Sequence, residues 1–201
     1  MDIRSLFVIA ASIGVLATPA LAAAQSIDVP PVPANLEVPD GNELYLQGRA
    51  VGTQNYICLL TKKGMRWQFL GPQATLFLTG AGGWQQITTH FLSPNPAEDG
   101  LPRPTWQHSL DTSQVWARAV ASSADANYVA PNSIPWLLLR SAGTAMGPAG
   151  GALLTRTSYI QRLNTAGGTA PTEGCSQAGE IGAMALVPYT TDYFFYRASQ
   201  P

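Results

Sequence analysis

The stretch "LVPYTTDYFFYRA", from Leu186 to Ala198, gives the clearest indication of the fold. In an extended chain, one face of this segment carries Tyr189, Thr191, Tyr193 and Phe195. The other face carries Thr190, Asp192, Phe194 and Tyr196. Alternation with a period of two residues is the pattern of a β-strand. Because both faces hold aromatic side chains, the pattern predicts a central strand.

Further segments show the same alternation. "ELYLQGRA" (43–50) and "TQNYICLLT" (53–61) predict two strands, and Gly48 and Gly52 indicate a bend or bulge between them. "MRWQFL" predicts a strand that ends at Gly71-Pro72, and "TGAGG" between two apolar runs is typical of a hairpin. In all, nine or ten strand candidates and no clear helix predict an all-β fold. The expected architecture is a single-domain β-sandwich or β-barrel with long Pro/Gly-rich loops.

Two segments in the middle of the chain are read from their composition. "SPNPAEDGLPRP", from Ser93 to Pro104, contains four prolines and is expected to be a loop. In the segment from Ser113 to Ser123, inward Val115, Ala117 and Ala119 favour a strand. A helix is the competing interpretation there, because Ala and Arg favour helices.

Charged residues are scarce. They make up 11% of the chain, and the formal net charge is -1 at pH 7. A protein that binds nucleic acid needs a basic face to neutralise phosphates, so DNA and RNA are not expected partners. The 19 Gly and 16 Pro residues are typical of a turn-rich β protein.

The N-terminus predicts export. An apolar run, "LFVIAASIGVLA", follows Arg4 and precedes Pro19 and a series of small residues, which is the pattern of a signal peptide over residues 1–24. Cleavage is expected after Ala22 or Ala24. Residues 25–39 predict a Pro-rich arm and residues 40–201 the all-β domain. The protein is therefore expected to be secreted, extracellular or periplasmic, without stable membrane insertion.

Cys58 and Cys175 are the only two cysteines. In an oxidising compartment two cysteines are expected to pair, so the sequence predicts a disulfide between them. A reactive cysteine is the alternative, but neither residue has a histidine close by in sequence to lower its pKa.

The sequence offers few catalytic combinations. The glycines of "TGAGGWQQ" do not have the spacing of a dinucleotide-binding loop, and no G-x-S-x-G elbow is present. Only His90 and His108 can act as general bases of the histidine type, and His90 with Asp111 is the catalytic candidate. No two metal-ligand residues have a spacing that fixes them on one element, so neither a metal nor a cofactor is expected.

Aromatic and amide residues outnumber candidate catalytic pairs. This favours a ligand-binding or surface-interaction domain for a small molecule or glycan. The candidate ligand-binding residues are Trp106, Arg162, Asn164, Gln54 and Tyr56. For Arg162 and Asn164 a structural role at the Gly-Gly turn of "IQRLNTAGGTAPTEGC" (160–175) is the competing interpretation. The alternative functions are an extracellular hydrolase or lyase using His90 and Asp111, with or without a metal, and a purely structural envelope protein.

Several segments occur together in an order that marks a family. "GTQNYICLL", "IQRLNTAGGTAPTEGC" and "VPYTTDYFFY" resemble the secreted proteins catalogued as domain of unknown function 3455, from about Pro39 to Tyr196. The resemblance implies export and one cysteine pair, and it implies no established activity. Some fungal members are labelled malate dehydrogenase, but this chain does not encode the dinucleotide fold which that reaction needs. Members tend to have Asp-Gly-Ser where this chain has Asp111-Thr112-Ser113, so Thr112 is expected to fit poorly if the turn needs a positive φ.

Overall fold

Eight antiparallel strands, each paired with the next along the chain, close into a barrel because the last strand pairs with the first. The computed structural model describes residues 28–80 and 83–200, so the predicted signal peptide lies outside the described residues. The strands are β1 (Asn42–Thr61), β2 (Gly64–Gly80), β3 (Gly83–Asn95), β4 (Leu101–His108), β5 (Gln114–Ser123), β6 (Trp136–Ala145), β7 (Thr157–Gly167) and β8 (Met184–Ala198). Three short 3-10 helices are present, at Ala34–Leu36, Pro96–Glu98 and Ala178–Glu180. The all-β prediction is confirmed, and the architecture is the barrel.

The first strand is longer than the sequence predicts. The two segments expected to be separate strands form one strand of 20 residues, and its bulge lies between Leu44 and Leu46. Gly48 and Gly52 are instead positions of close approach between strands. A Cβ at Gly52 would overlap the carbonyl oxygen of Gln73 on β2. Glycine keeps the strand continuous here because no other residue would fit.

Proline interrupts the strands less than expected. β2 continues through Gly71 and Pro72, where the ladder with β1 shifts at Asn55/Tyr56. The predicted loop from Ser93 to Pro104 is wrong at both ends, because β3 extends to Asn95 and β4 begins at Leu101. Pro94 and Pro102 face each other near the ends of these strands, where a missing backbone N–H is tolerated. The strand prediction for β5 is confirmed.

Apolar side chains fill the barrel interior. Fully or almost fully buried residues come from every strand and from two connections, and they include Ala50, Leu76, Ile87, Trp106, Val115, Leu139, Leu154, Ile160, Tyr193 and Phe195. An eight-stranded barrel has an interior just wide enough for side chains or one small ligand. The interior is therefore a packed core over most of its length.

A second apolar cluster lies outside the barrel wall. Phe194 and Tyr196 of β8 pack there with Leu163, Trp136 and Leu138, and the N-terminal arm covers them through fully buried Leu36. The Gln161 Nε2 donates to the Leu36 carbonyl at 2.7 Å, and the Tyr196 hydroxyl donates to Gln161 Oε1 at 2.7 Å. This covering explains why β8 carries aromatic residues on both faces.

The predicted disulfide is confirmed. Cys58 near the end of β1 bonds to Cys175 in the β7–β8 connection, with Cα atoms 5.4 Å apart and a separation of 117 residues in sequence. The Trp67 Nε1 donates to the Glu173 carbonyl at 2.9 Å beside this bond. The β1–β2 hairpin thus holds the β7–β8 connection across one end of the barrel.

None of the helices in residues 28–80 and 83–200 is long and apolar enough to cross a membrane.

Candidate functional site

Two connections close the barrel end that carries the disulfide. The β5–β6 connection meets the β7–β8 connection at a bridge between Ser133 and Gly168, and the Thr165 hydroxyl donates to the Ile134 carbonyl at 2.6 Å. From the hairpin side, the Tyr56 hydroxyl donates to the Gly168 carbonyl at 2.7 Å. We call this arrangement the stapled end. Its covering loops meet at Gly168.

Gly168 lies directly on polar side chains of the interior. Its φ is +83°, and a Cβ there would lie 3.0 Å from Gln54 Cγ and 3.0 Å from Tyr189 Cβ. A positive φ and this close approach both require glycine. The Gly-Gly turn therefore places the backbone of Gly168 in contact with the Gln54 and Tyr189 side chains at the stapled end.

Four side chains form a polar cluster beneath this cover. Arg162 of β7 lies opposite Tyr193 of β8 in the ladder, and opposite residues share a face of the sheet. Tyr189 pairs with Gly52 of β1, two residues before Gln54, so both side chains point inward. We call Gln54, Arg162, Tyr189 and Tyr193 the inner polar cluster.

The inner polar cluster contains buried polar atoms without hydrogen bonds. Gln54 Nε2, Arg162 Nε and the hydroxyls of Tyr189 and Tyr193 have no well-aligned partner among residues 28–80 and 83–200, although Tyr189 neighbours Gln54 and Tyr193, and Tyr193 neighbours Arg162. Gln54, Tyr189 and Tyr193 are only 2%, 2% and 1% exposed. Most buried polar groups in proteins are hydrogen-bonded, and leaving one unpaired costs about 1–3 kcal/mol. Four such groups lie together at this one place.

The tyrosines of the cluster are neutral donors at ordinary pH. Burial raises the pKa of Tyr189, and the neighbouring Tyr193 raises it further. Burial also raises the pKa of Tyr193, while the charge of Arg162 acts in the opposite direction. Both hydroxyls keep their protons and can donate hydrogen bonds.

His90 lies next to the cluster inside the barrel. Its ring stacks on Trp106, and Tyr193 meets the His90 ring edge-on with centroids 5.1 Å apart. Burial lowers the pKa of His90 to about 3, although the bond to the Thr105 carbonyl favours protonation. Because a carbonyl only accepts, the neutral ring carries its proton on Nδ1, 2.9 Å from Thr105 O. His90 is a neutral core residue.

Asp111 lies at the opposite end of the barrel and does not share a hydrogen bond with His90. Its Oδ1 accepts from the Ser113 hydroxyl at 2.7 Å and from the Ser113 N–H at 2.9 Å, and its Oδ2 accepts from Leu153 N–H at 2.7 Å. Burial acts to raise the pKa of Asp111, but these hydrogen bonds outweigh it and lower the pKa to about 2. The carboxylate joins the β4–β5 and β6–β7 connections.

His108, not His90, is the histidine beside Asp111. His108 Nδ1 lies 3.0 Å from Asp111 Oδ1. A serine protease triad needs the serine hydroxyl on the histidine, whereas the Ser113 hydroxyl donates to the carboxylate and accepts from Leu154 N–H at 3.0 Å. This arrangement holds two loops together and leaves no activated nucleophile.

The other predicted ligand-binding residues divide between the cluster and the outer surface. Gln54 and Arg162 belong to the inner polar cluster, and Tyr56 adjoins it through Gly168. Trp106 is fully buried, and its Nε1 is another unpaired donor. Asn164 is exposed, and its Nδ2 donates to Asp192 Oδ2 at 2.8 Å. Asn164 therefore lies on the outer wall, away from the interior.

Tyr189 and Tyr193 are the cluster residues that the sequence analysis did not name. They occupy alternate positions of β8, on the face shared with Thr191 and Phe195. Two tyrosine hydroxyls on the inward face of a strand are unusual in a barrel core, because a buried hydroxyl needs a hydrogen-bond partner. The alternation of residues in β8 therefore indicates these two tyrosines as candidate site residues once the inward face of the strand is identified.

A separate groove of about 950 Å³ lies on the outer face of β1, β2 and β3. Apolar Val51, Leu70 and Leu186 line it together with the polar side chains of Asn55, Gln73 and Thr75. No Asp, Glu, Lys or Arg lines it. In the part of the chain that the structure describes, no three His, Cys, Asp or Glu residues lie together in a metal-binding group.

Comparison with known proteins identifies a family. The model of the family described as "Protein of unknown function (DUF3455)" matches residues 39–197, which includes all eight strands except the last residue of β8. No curated protein and no solved structure matches the chain.

Proposed function

Since the chain belongs to the family described as protein of unknown function (DUF3455), we propose its function from the site itself: it is a binding protein that holds a small molecule at the inner polar cluster. The observation that carries this proposal is the set of four unpaired polar groups on Gln54, Arg162, Tyr189 and Tyr193. A ligand that pairs with these groups would recover the free energy that their burial costs. Barrels of eight strands are wide enough to hold one small ligand.

The ligand reaches the cluster at the stapled end. Arg162 is only partly buried, and its Nη2 donates to the Pro135 carbonyl at 2.7 Å near the surface. The Arg162 side chain thus runs from the surface to the buried cluster. A ligand lying along it contacts solvent at one end and the tyrosine hydroxyls at the other.

The proposed place of action is outside the cytoplasm, in the extracellular space or the periplasm. The Cys58–Cys175 disulfide supports this location, because such bonds persist in oxidising compartments. The sequence of the N-terminus, which predicts a signal peptide, supports it independently.

A fragment screen by NMR tests the binding function. Uniformly ¹⁵N-labelled protein is titrated with a library of neutral, anionic and cationic fragments, and shifts of the Gln54 and Arg162 side-chain N–H signals are followed. We expect at least one fragment to shift these signals in wild type and to lose affinity in Tyr193→Phe. Hits that shift only surface residues, with the cluster signals unchanged, would overturn the proposal.

A second candidate function is glycan binding in the outer groove. The observation that favours it is an uncharged lining that combines apolar walls with amide and hydroxyl groups. A glycan array measures this directly, with Asn55→Ala as the variant expected to lose the signal and Asn164→Ala, outside the groove, as the control. No glycan bound by wild type, or equal binding by Asn55→Ala, would contradict it. The alternative of a hydrolase or lyase using His90 and Asp111 gains no support, because the two residues have separate partners.

A further inference from the structure

We infer that the ligand of the inner polar cluster presents a carboxylate, which Arg162 pairs with as its counter-ion. This inference rests on the proposed binding function and names the chemical class that the site accepts. It depends on which kinds of polar atom are unpaired, on the charge of Arg162 and on the number of donors.

All four of these cluster atoms can donate a hydrogen bond, and the two hydroxyls can also accept one. Gln54 Nε2 and Arg162 Nε only donate, and the hydroxyls of Tyr189 and Tyr193 can each donate one hydrogen bond. The nearby Trp106 Nε1 also only donates. Complementarity therefore requires a ligand rich in acceptor atoms.

Arg162 carries a charge that its surroundings leave unbalanced. The ion pairs among residues 28–80 and 83–200 use Arg49, Arg103, Arg197 and His108. The Arg162 Nη2 donates to a neutral carbonyl, that of Pro135, and the neighbour of the guanidinium within the cluster, Tyr193, is neutral as well. A partly buried guanidinium is stabilised most by an anion. A neutral ligand would accept hydrogen bonds from the donors but would leave the positive charge of Arg162 without a counter-ion.

Burial is the largest cause of the pKa shifts at the stapled end, and Arg162 is the charged residue that also contributes to them. It is the only charged side chain among the groups that shift the pKa values of Tyr56, Tyr189, Tyr193 and His90. A ligand with a single negative charge balances it. A dianionic phosphate would bring a second negative charge with no second cation to meet it.

The geometry of a carboxylate fits the number of donors. An ionised carboxylate has two oxygens with about four lone-pair sites, and the cluster offers four unpaired donor groups. The guanidinium is planar and matches carboxylate oxygens in a forked arrangement. Because Trp106, Tyr193 and Phe195 fill the space below, only the carboxylate head is held inside and the rest of the ligand extends toward the loops.

Matched pairs of compounds test the charge requirement. Benzoate is compared with benzamide, and hexanoate with hexanamide, by calorimetric titration at pH 7 with methyl phosphate as the dianion probe. We expect each carboxylate to bind roughly tenfold or more tightly than its amide, since charge-assisted hydrogen bonds are about twice as strong as neutral ones. Equal affinity of acid and amide at the cluster would overturn the carboxylate inference while leaving the binding function in place. If none of these compounds shifts the NMR signals of Gln54 or Arg162, both the carboxylate inference and the proposed binding function would be refuted.

Variants of Arg162 supply the residue-level control. Arg162→Gln should lose the preference for benzoate over benzamide, whereas Arg162→Lys should keep most of that preference because it keeps the charge. The ratio of benzoate affinity to benzamide affinity is measured within each variant. A change in protein stability affects both affinities alike and therefore does not change this ratio. If Arg162→Gln does not fold, Tyr193→Phe gives the second measurement. It should weaken benzoate binding through the lost hydroxyl, and unchanged benzoate affinity there would contradict the inference.

Discussion

The imidazole of His90 stacks on the indole of Trp106, with ring centroids 4.1 Å apart and an interplanar angle of 12°. The stack lies inside the barrel, where His90 is 3% exposed. Neutral imidazole is therefore part of the core, and protonation would place a charge among aromatic rings. The stability of the barrel should then depend on pH in part through this side chain.

Stability should fall as pH decreases below the ordinary pKa of histidine. The folded-state pKa of His90 is about 3, below the unfolded value of about 6.5, so the unfolded chain binds more protons between these values. This contribution to stability is complete above pH 6.5 and decreases by about 1.4 kcal/mol per pH unit below it. Urea denaturation between pH 6.5 and 5.5 measures the slope before most carboxylates titrate. His90→Phe should flatten the slope, and equal slopes in both proteins would show that His90 is not the cause.

Removing the disulfide should weaken the stapled end more than the rest of the barrel. For a closed loop of 117 residues the chain-entropy model gives a loss of about 4 to 5 kcal/mol in the Cys58→Ser/Cys175→Ser variant. Hydrogen exchange should increase most in the β7–β8 connection and the β1–β2 hairpin. Uniform loss of protection over all eight strands would contradict the local role of the bond.

Asp111→Ala should destabilise the barrel end opposite the disulfide. The variant loses hydrogen bonds from Ser113 and Leu153 to a charged acceptor, and we expect a loss of about 2–3 kcal/mol in unfolding free energy. Asp125→Ala is the matched control, because Asp125 is exposed and its carboxylate accepts only from neighbouring Asn127. Chemical denaturation of the two variants should show the larger loss for Asp111. A loss no larger than that of Asp125→Ala would count against the role of Asp111 in joining loops.

Thr112→Gly should stabilise the protein. Thr112 has a φ of 58°, which a β-branched residue adopts with strain, so glycine should add about 1 kcal/mol of unfolding free energy. Asn132→Gly is the control, because asparagine tolerates its φ of 57° and little gain is expected. The melting temperatures of the two variants, each compared with that of the wild type, measure these gains in stability. A gain at Asn132 as large as that at Thr112 would mean that strain at Thr112 is not the reason.

Two tyrosines of β8 should respond oppositely to loss of their hydroxyls. Tyr193 faces inward and its hydroxyl is unpaired, so Tyr193→Phe should raise the stability of the unliganded protein by about 1 kcal/mol. Tyr196 faces outward and donates to Gln161, so Tyr196→Phe should lower stability by about the same amount. Thermal unfolding without ligand measures both. A lower stability of Tyr193→Phe would mean that the Tyr193 hydroxyl stabilises the fold through a partner within the protein, which would contradict its role as an unpaired group for a ligand.

The sequence predicts local structure well and closure poorly. The alternation in β8 and the single cysteine pair point correctly to an all-β chain with a Cys58–Cys175 bond. Closure depends on the pairing of β1 with β8, which lie near opposite ends of the described chain. Local composition does not carry that information. For the same reason Pro94 and Pro102 suggest a loop although the strands continue through them.

The structure brings some of the predicted ligand-binding residues together and separates others. Gln54, Tyr56 and Arg162 do come together at the stapled end, because inward registers and the Gly168 turn bring them there. Tyr189 and Tyr193 were missed because an aromatic residue on a strand is most often core. His90 and Asp111 are catalytic candidates by their chemistry, and spacing in sequence does not show that each has its own separate partners.

The measurement that tests the binding site most directly is the NMR signal of the Arg162 Nε–H, assigned from its absence in Arg162→Lys. A titration with benzoate should shift this signal saturably in wild type, with a much smaller response to benzamide. A signal that stays in place while benzoate binds elsewhere, or while nothing binds, would contradict the assignment of the inner polar cluster as a ligand site.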